Sequence, residues 1–228
     1  MDSRDRLLFT PFERGEEVGR AMKRDVTRYD LIVVGGAVNG MVCALLAAQQ
    51  GLSVALFEAH HELGGGVRTK ESTLPGFHHD VCSAVHPFGR CSPVLASLDL
   101  EKEGLEWIDA PVPAAHPLVN GEAVLLHRSV ERTAEELGKG GRFYRAVMNA
   151  LCQDWETLES LLLGPILRVP RFNQFPSLTR FGLLALTPAT IVGRALGQRG
   201  AALWAGLAAH SLLPMEAVSS SAVACVLG

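Results

Sequence analysis

The chain lacks most of the features that would assign it a class at once. Its five cysteines, Cys43, Cys82, Cys91, Cys152 and Cys225, include no C-x-x-C pair, and their number is odd. That pattern argues against a disulfide framework or a zinc site and predicts free thiols in a reducing compartment. There is no run of about 18 consecutive apolar residues, so no transmembrane helix is expected. The nearest candidate, Ala201 to Leu213, is short, contains His210 and reads as a buried helix. Charge of one sign is also missing: 21 Lys+Arg stand against 24 Asp+Glu, a formal net charge of -3. Nucleic acid normally requires a strongly basic face, so small molecules or proteins are the expected partners. The first 28 residues contain no long apolar segment and mix Arg4, Arg6 and Arg14 with Asp2, Asp5 and Glu13. This excludes a secretory signal and argues against a transit peptide, and a cytoplasmic location is expected.

What is present is a globular composition, 48% apolar with 23 glycines in 228 residues, long enough to bury a core. The pattern predicts three regions: a charged, solvated extension over 1–28, a dinucleotide-binding region over 29–110, and a mainly helical region with one hairpin over 111–228. Leu31 to Val34 is an apolar, β-branched run suited to a central parallel strand covered on both faces. Asn39 to Gln50 reads as a helix ended by Gly51, and Ser53 to Phe57 as a second strand. Together they have the length of one βαβ crossover. Residues 60–93 read as loop. Asn120-Gly121 between Pro117-Leu118 and Ala123 to Leu126 predicts a type I′ hairpin. Ser129 reads as a helix N-cap with Glu131 in the first turn. Helical spacing runs through Phe143, Val147, Leu151, Trp155, Leu158 and Leu162. After a Pro-bearing segment, two more helices are expected near 178–198 and 200–213.

The candidate chemistry lies where the first strand meets the first helix. Gly35-Gly36-Ala37-Val38-Asn39-Gly40 is a near match to G-x-G-x-x-G. In that motif the first glycine permits a tight turn, the second lets backbone approach a pyrophosphate, and the third lets helix and strand pack closely. The helix N-terminus then offers N–H groups and a positive dipole end to the phosphates. Here Ala37 holds the middle position, and it would cost on the order of 1 kcal/mol if that position required positive φ. Glu58 stands 18 residues beyond Gly40, where a carboxylate can accept from the ribose hydroxyls. The same charge disfavours a 2′-phosphate, hence NADP. Gly64-Gly65-Gly66 followed by Arg68 suits a turn whose N–H groups face an anion. His78, His79 and His86 cluster near Asp80 but match no metal-ligand spacing, so no metal is expected and these read as loop residues.

The strand-end Glu58 and the Gly65-Gly66-Val67-Arg68-Thr69 string resemble the second FAD signature of the flavin-containing amine oxidase and phytoene dehydrogenase group. Leu74 to Pro87 is similar to the segment that follows it in phytoene-dehydrogenase-like proteins. Further likenesses lie at Leu105 to Ile108, Ala115 to Leu118, Arg180 to Gly182 and Ala208 to Ser211. The resemblance runs from about Tyr29 to the end and covers only the amino-terminal half of such enzymes. It implies an α/β fold, with a Rossmann-like FAD-binding βαβ unit in an incomplete doubly wound sheet and then a partial, mostly helical substrate domain. It implies FAD along Gly35, Gly36, Ala37, Val38, Asn39, Gly40, Glu58, Gly65, Gly66 and Arg68, and hydride transfer from a substrate carbon to the flavin. No catalytic side chain is singled out, since in such enzymes the cofactor performs the hard chemistry. The helical region, rich in Leu, Ala, Phe and Trp, is expected to meet an apolar substrate. Because the resembled enzymes continue with further sheet strands, three states stay open: a truncated flavoenzyme, one half of a split enzyme with a partner chain, and a degenerate, non-catalytic interaction protein. An NAD-dependent dehydrogenase is the remaining alternative, disfavoured by the glycine triplet.

Overall fold

The computed structural model describes residues 28–165, 167 and 169–228, with the backbone of 7–11. The chain divides into two compact units, Met1–Gly89 and Arg90–Gly228. That division falls earlier than the expected one near 110.

The first unit is built on three parallel strands: β1 (Leu7–Pro11), β2 (Leu31–Val34) and β3 (Val54–Glu58), in the order β1-β3-β2. β1 pairs from Leu7↔Val54 to Pro11↔Glu58, and β2 from Leu31↔Val54 to Val34↔Phe57. Helix α1 (Val38–Gln49) crosses between β2 and β3. The expected strand–turn–helix–strand order is therefore present. β1 departs from the solvated extension read over 1–28. The run Leu7-Leu8-Phe9-Thr10 has strand propensity that the flanking charges obscured. Residues 1–6 and 12–27 of that extension lie outside the described residues.

The expectation that β2 is covered on both faces is corrected. Leu31 and Val33 pack with Ala44, Ala47, Ala48 and Val54, the small core beneath α1. Ile32 is 59% and Val34 83% exposed on the alternate positions. The strand pairs only with β3 among the described residues, so one edge and one face stay open. β3, flanked by strands on both sides, buries Val54, Ala55 and Leu56. Residues 60–93 are not all loop. β4 (Thr69–Glu71) and β5 (His78–Asp80) form an antiparallel pair, joined across a turn in which Gly76 has φ +83°. A short helix, α2 (Pro87–Cys91), ends this segment, and α3 (Pro93–Ala96) follows, its N-cap Ser92 accepting from Leu95.

The second unit holds the larger core. β6 (Ala114–Pro117) and β7 (Ala123–Leu126) form the predicted hairpin. Its turn is not type I′, which needs positive φ at two residues. Only Gly121 is left-handed, at φ +83°. The Gly121 N–H donates to the Leu118 carbonyl, and the Leu118 N–H to the Glu122 carbonyl. That is a type I turn closed by a glycine bulge. Helix α4 (Val130–Glu136) starts as predicted, Ser129 accepting from the Arg132 N–H.

The expected helix over 141–163 is two: α5 (Gly141–Gln153) and α6 (Trp155–Leu162), broken at Asp154. Its buried face runs through Tyr144, Met148, Leu151 and Leu158, so the early part of the predicted stripe was one residue out of phase. Phe143 instead faces solvent. Then come α7 (Phe175–Ala185) and α8 (Ala189–Ala208), parted by Thr187-Pro188, a break the sequence reading did not place. The break expected near 199 is present as a kink in α8 at Gly197, with φ 71° and ψ -178°. That region is essentially open only to glycine. Trp204 on α8 is buried in the core and donates to Ser221. α9 (Ala224–Leu227) packs on α8.

Candidate functional site

Two glycine-rich turns, far apart in the chain with α1 and β3 between them, meet beyond the ends of β2 and β3. Gly35 leaves β2 at φ +104°, the conformation for which a glycine is needed. Its N–H donates to the Phe57 carbonyl, extending the β2–β3 ladder by one bond. Gly40 is required by contact. A Cβ there would lie 1.9 Å from the Gly35 carbonyl oxygen, so α1 can approach the turn only without one. These are the outer two roles expected of the motif.

Ala37 is accommodated without strain. It is the N-cap of α1 at φ -73° and ψ 174°, extended backbone that any residue adopts. The cost anticipated for positive φ at this position does not arise. Its Cβ faces the second turn, since a Cβ added to Gly65 would stand 2.8 Å from it. Gly65 is itself left-handed, at φ +56°. Ala37 and Gly64 form a parallel bridge, and the Gly64 N–H donates to the Gly36 carbonyl at 2.8 Å. The missing glycine at the middle position is thus matched by glycine on the facing turn.

α1 begins with no side-chain cap and no acid in its first turn. The N–H groups of Val38, Asn39 and Gly40 therefore form an uncompensated helix N-terminus, the physical requirement for holding phosphate. Glu58 ends β3 beside it. Its Oε2 accepts from the Gly36 N–H at 2.5 Å and its Oε1 from the His60 N–H at 2.9 Å. The Gly36 bond first, then the His60 bond, hold the carboxyl below its ordinary range, so Glu58 is a fixed anion. A carboxylate has about four lone-pair sites, and two bonds leave capacity for ribose hydroxyls. Arg68 donates through Nε to the Gly65 carbonyl at 2.8 Å, which orients the guanidinium against the triplet. Gly66 lies beside Cys82 and accepts from the Ser83 N–H.

The structure therefore brings together Gly35, Gly36, Ala37, Val38, Asn39, Gly40, Glu58, Gly65, Gly66 and Arg68. Gly64, read as the head of the glycine triplet, also makes the bridge to Ala37. One contributor was missed. Leu63 packs on Gly36, where an added Cβ would sit 2.3 Å from its Cδ2; no sequence signal marked it. His78, His79 and Asp80 lie on β5. Asp80 accepts from Thr69, and His79 is bonded to Thr73.

A strand–glycine turn–helix–strand unit with an open helix N-terminus and a strand-end carboxylate defines a dinucleotide-binding Rossmann-like protein. In agreement, the family described as NAD(P)-binding Rossmann-like domain matches residues 33–98. The chain is similar to a limonene dehydrogenase subunit of Castellaniella defragrans, 29% identical over 113 residues, half of this chain and 20% of that protein. It is similar also to pyridine nucleotide-disulfide oxidoreductase domain-containing protein 2 of Mus musculus, 35% identical over 78 residues, which are 34% of this chain and 13% of that one. Among solved structures, putrescine oxidase bound to putrescine aligns with a TM-score of 0.49 and 18% identity, over 87% of this chain and 41% of that one. The chain matches about a fifth or less of the length of these two curated relatives. The chain carries a Rossmann-like domain and is a relative of oxidoreductases.

Proposed function

We propose that the chain carries the adenosine-diphosphate cradle of an FAD-dependent oxidoreductase of the dehydrogenase or desaturase type, related to phytoene dehydrogenase. The observation that carries this reading is the pairing of the two glycine turns through Ala37 and Gly64. It sets a second row of backbone groups, with Arg68, beside the helix N-terminus. A nicotinamide dinucleotide needs only the first turn, whereas the second suits a longer contact with a flavin dinucleotide. The residues fit the group: Gly35 and Gly40 make the turn, α1 offers its N–H groups to the pyrophosphate, and Glu58 takes the ribose. FAD, when bound, supplies the acceptor for a hydride from a substrate carbon. The chain's own part is to bind and orient, with Glu58 kept anionic by two backbone donors. An apolar substrate is favoured by the relative named for limonene.

The open face of β2 favours completion of the site by another polypeptide segment, in the same chain or in a partner. Ile32 and Val34 are exposed beside an edge unpaired among the described residues, which is costly to leave in water. The limonene dehydrogenase relative is itself named a subunit.

The test is a visible spectrum of the purified chain before and after incubation with FAD and desalting. Retained flavin bands, weakened by Glu58→Ala, are the expected result. A folded chain that retains NAD but not FAD would overturn the choice of cofactor.

A further inference from the structure

Immediately after Glu58 the chain bends through Ala59, His60, His61 and Glu62. The two imidazoles stack with centroids 4.1 Å apart and planes 28° from parallel. Glu62 Oε1 lies 3.8 Å from His61 Nε2. One ligand atom from each of His60, His61 and Glu62 lies within 4.8 Å of the other two. The dinucleotide site described above uses only the backbone N–H of His60, which donates to Glu58.

We propose that His60, His61 and Glu62 form a binding site for a borderline divalent cation of the zinc type. Two neutral imidazoles and a carboxylate are the donor set zinc takes when it keeps a fourth position open to water. Zinc bonds of about 2.0–2.2 Å put neighbouring ligand atoms roughly 3.3 Å apart. Closing from the observed spacing asks for a shift of about 1.5 Å, within reach of side-chain rotation at this bend. His60 Nδ1 accepts from the Glu62 N–H at 3.1 Å. This leaves the proton on Nε2, so the ion binds at Nδ1 and displaces that bond, or else the ring exchanges its tautomer. The adjacent carboxylate and imidazoles favour zinc over calcium or magnesium, which prefer oxygen ligands alone. A cation held here fastens the loop that begins at Glu58.

The site is tested with zinc chloride alone, by isothermal titration and competition against a zinc-binding dye, on the chain without dinucleotide. The expected result is one zinc per chain, bound more weakly as pH falls because both imidazoles must be neutral. The double variant His60→Ala/His61→Ala removes two direct ligands and should weaken binding by more than the roughly 10–100-fold typical of outer-shell changes. It keeps the backbone bond to Glu58. The near-isosteric Glu62→Gln should weaken zinc less but in the same direction. His78→Ala/His79→Ala is the control and should bind zinc as the parent does. Zinc should also raise the melting temperature of the parent and not of the double variant. Equal binding by parent and double variant, or equal loss in the control, would overturn the site. Neither result depends on FAD.

Discussion

Gly40, Ala37 and Glu58 show how single residues set the dinucleotide turn. Gly40→Ala would drive a Cβ to 1.9 Å from the Gly35 carbonyl oxygen, backbone that cannot swing aside. Overpacking of this kind typically costs about 1–3 kcal/mol. Urea unfolding of the variant should show a lower midpoint, with loss of any bound dinucleotide. Ala37→Gly should not bring the gain that its motif position suggests. Because Ala37 already sits at φ -73°, glycine relieves no backbone strain, and the freedom it adds to the unfolded chain is offset by the preference of an N-cap for glycine over alanine. FAD retention and stability both close to the parent's are the expected pair of readings. Glu58 adds a pH dependence. Its folded pKa is depressed by the Gly36 and His60 N–H groups. Its contribution is therefore present above the ordinary carboxylate range and lost as pH falls through the folded value. Melting temperatures from pH 7 to pH 3 should show the parent's advantage over Glu58→Gln shrinking with acid.

Among the secondary-structure elements, α8 and the β6–β7 hairpin carry the informative strains. Gly197→Ala would place a side chain at φ 71° and ψ -178°. Such strain costs on the order of 1–3 kcal/mol, so thermal unfolding should fall accordingly, unless α8 straightens and circular dichroism shows added helix. His116 on β6 packs its ring on Gly206 of α8, where a Cβ would lie 1.6 Å from Nε2. Its buried Nδ1 has no hydrogen-bond partner among the described residues. Burial, then the neighbouring His210, push its pKa down from 6.5. A folded pKa below the unfolded one means that protons favour the unfolded chain. Stability is whole above pH 6.5 and falls as pH drops from there toward the folded value. Unfolding midpoints between pH 7.5 and pH 5 should decline for the parent and stay flatter for His116→Phe. Hairpin and α4 were legible in sequence because Gly121 and Ser129 act locally. The phase of α5 was not, because Phe143 and Tyr144 both continue an apolar stripe and only the neighbouring helices choose between them.

Across the whole molecule, the two units differ in how complete their cores are. The second encloses Tyr144, Met148, Leu196, Leu203 and Trp204 in one cluster. Among the described residues the first buries a smaller set, Ala44, Ala48, Val54, Ala55 and Leu56, with Ile32 and Val34 of β2 exposed. Covering a side chain such as Val34 would contribute about 1.5–3 kcal/mol, and an open strand edge invites pairing with another chain. Ile32→Lys/Val34→Lys should thus leave the unfolding free energy of the isolated chain nearly unchanged, each within about 0.5 kcal/mol as for surface positions. It should reduce concentration-dependent association in sedimentation velocity. Association equal to the parent would place the sticky surface elsewhere.

The sequence alone determined what is local: the β2–α1–β3 crossover, the turn at Gly35, the carboxylate at Glu58, the cap at Ser129. Each follows from residues within a turn or two of chain, where backbone freedom, capping and periodicity act directly. Tertiary structure decided what depends on approach between distant segments. It decided that Gly64 bridges Ala37, that Leu63 and Glu58 close over Gly36, and that Leu7–Pro11 joins the sheet. It also left Ile32 and Val34 uncovered. A strand's own residues show which positions are apolar, but only the packed layers show which of them find a partner.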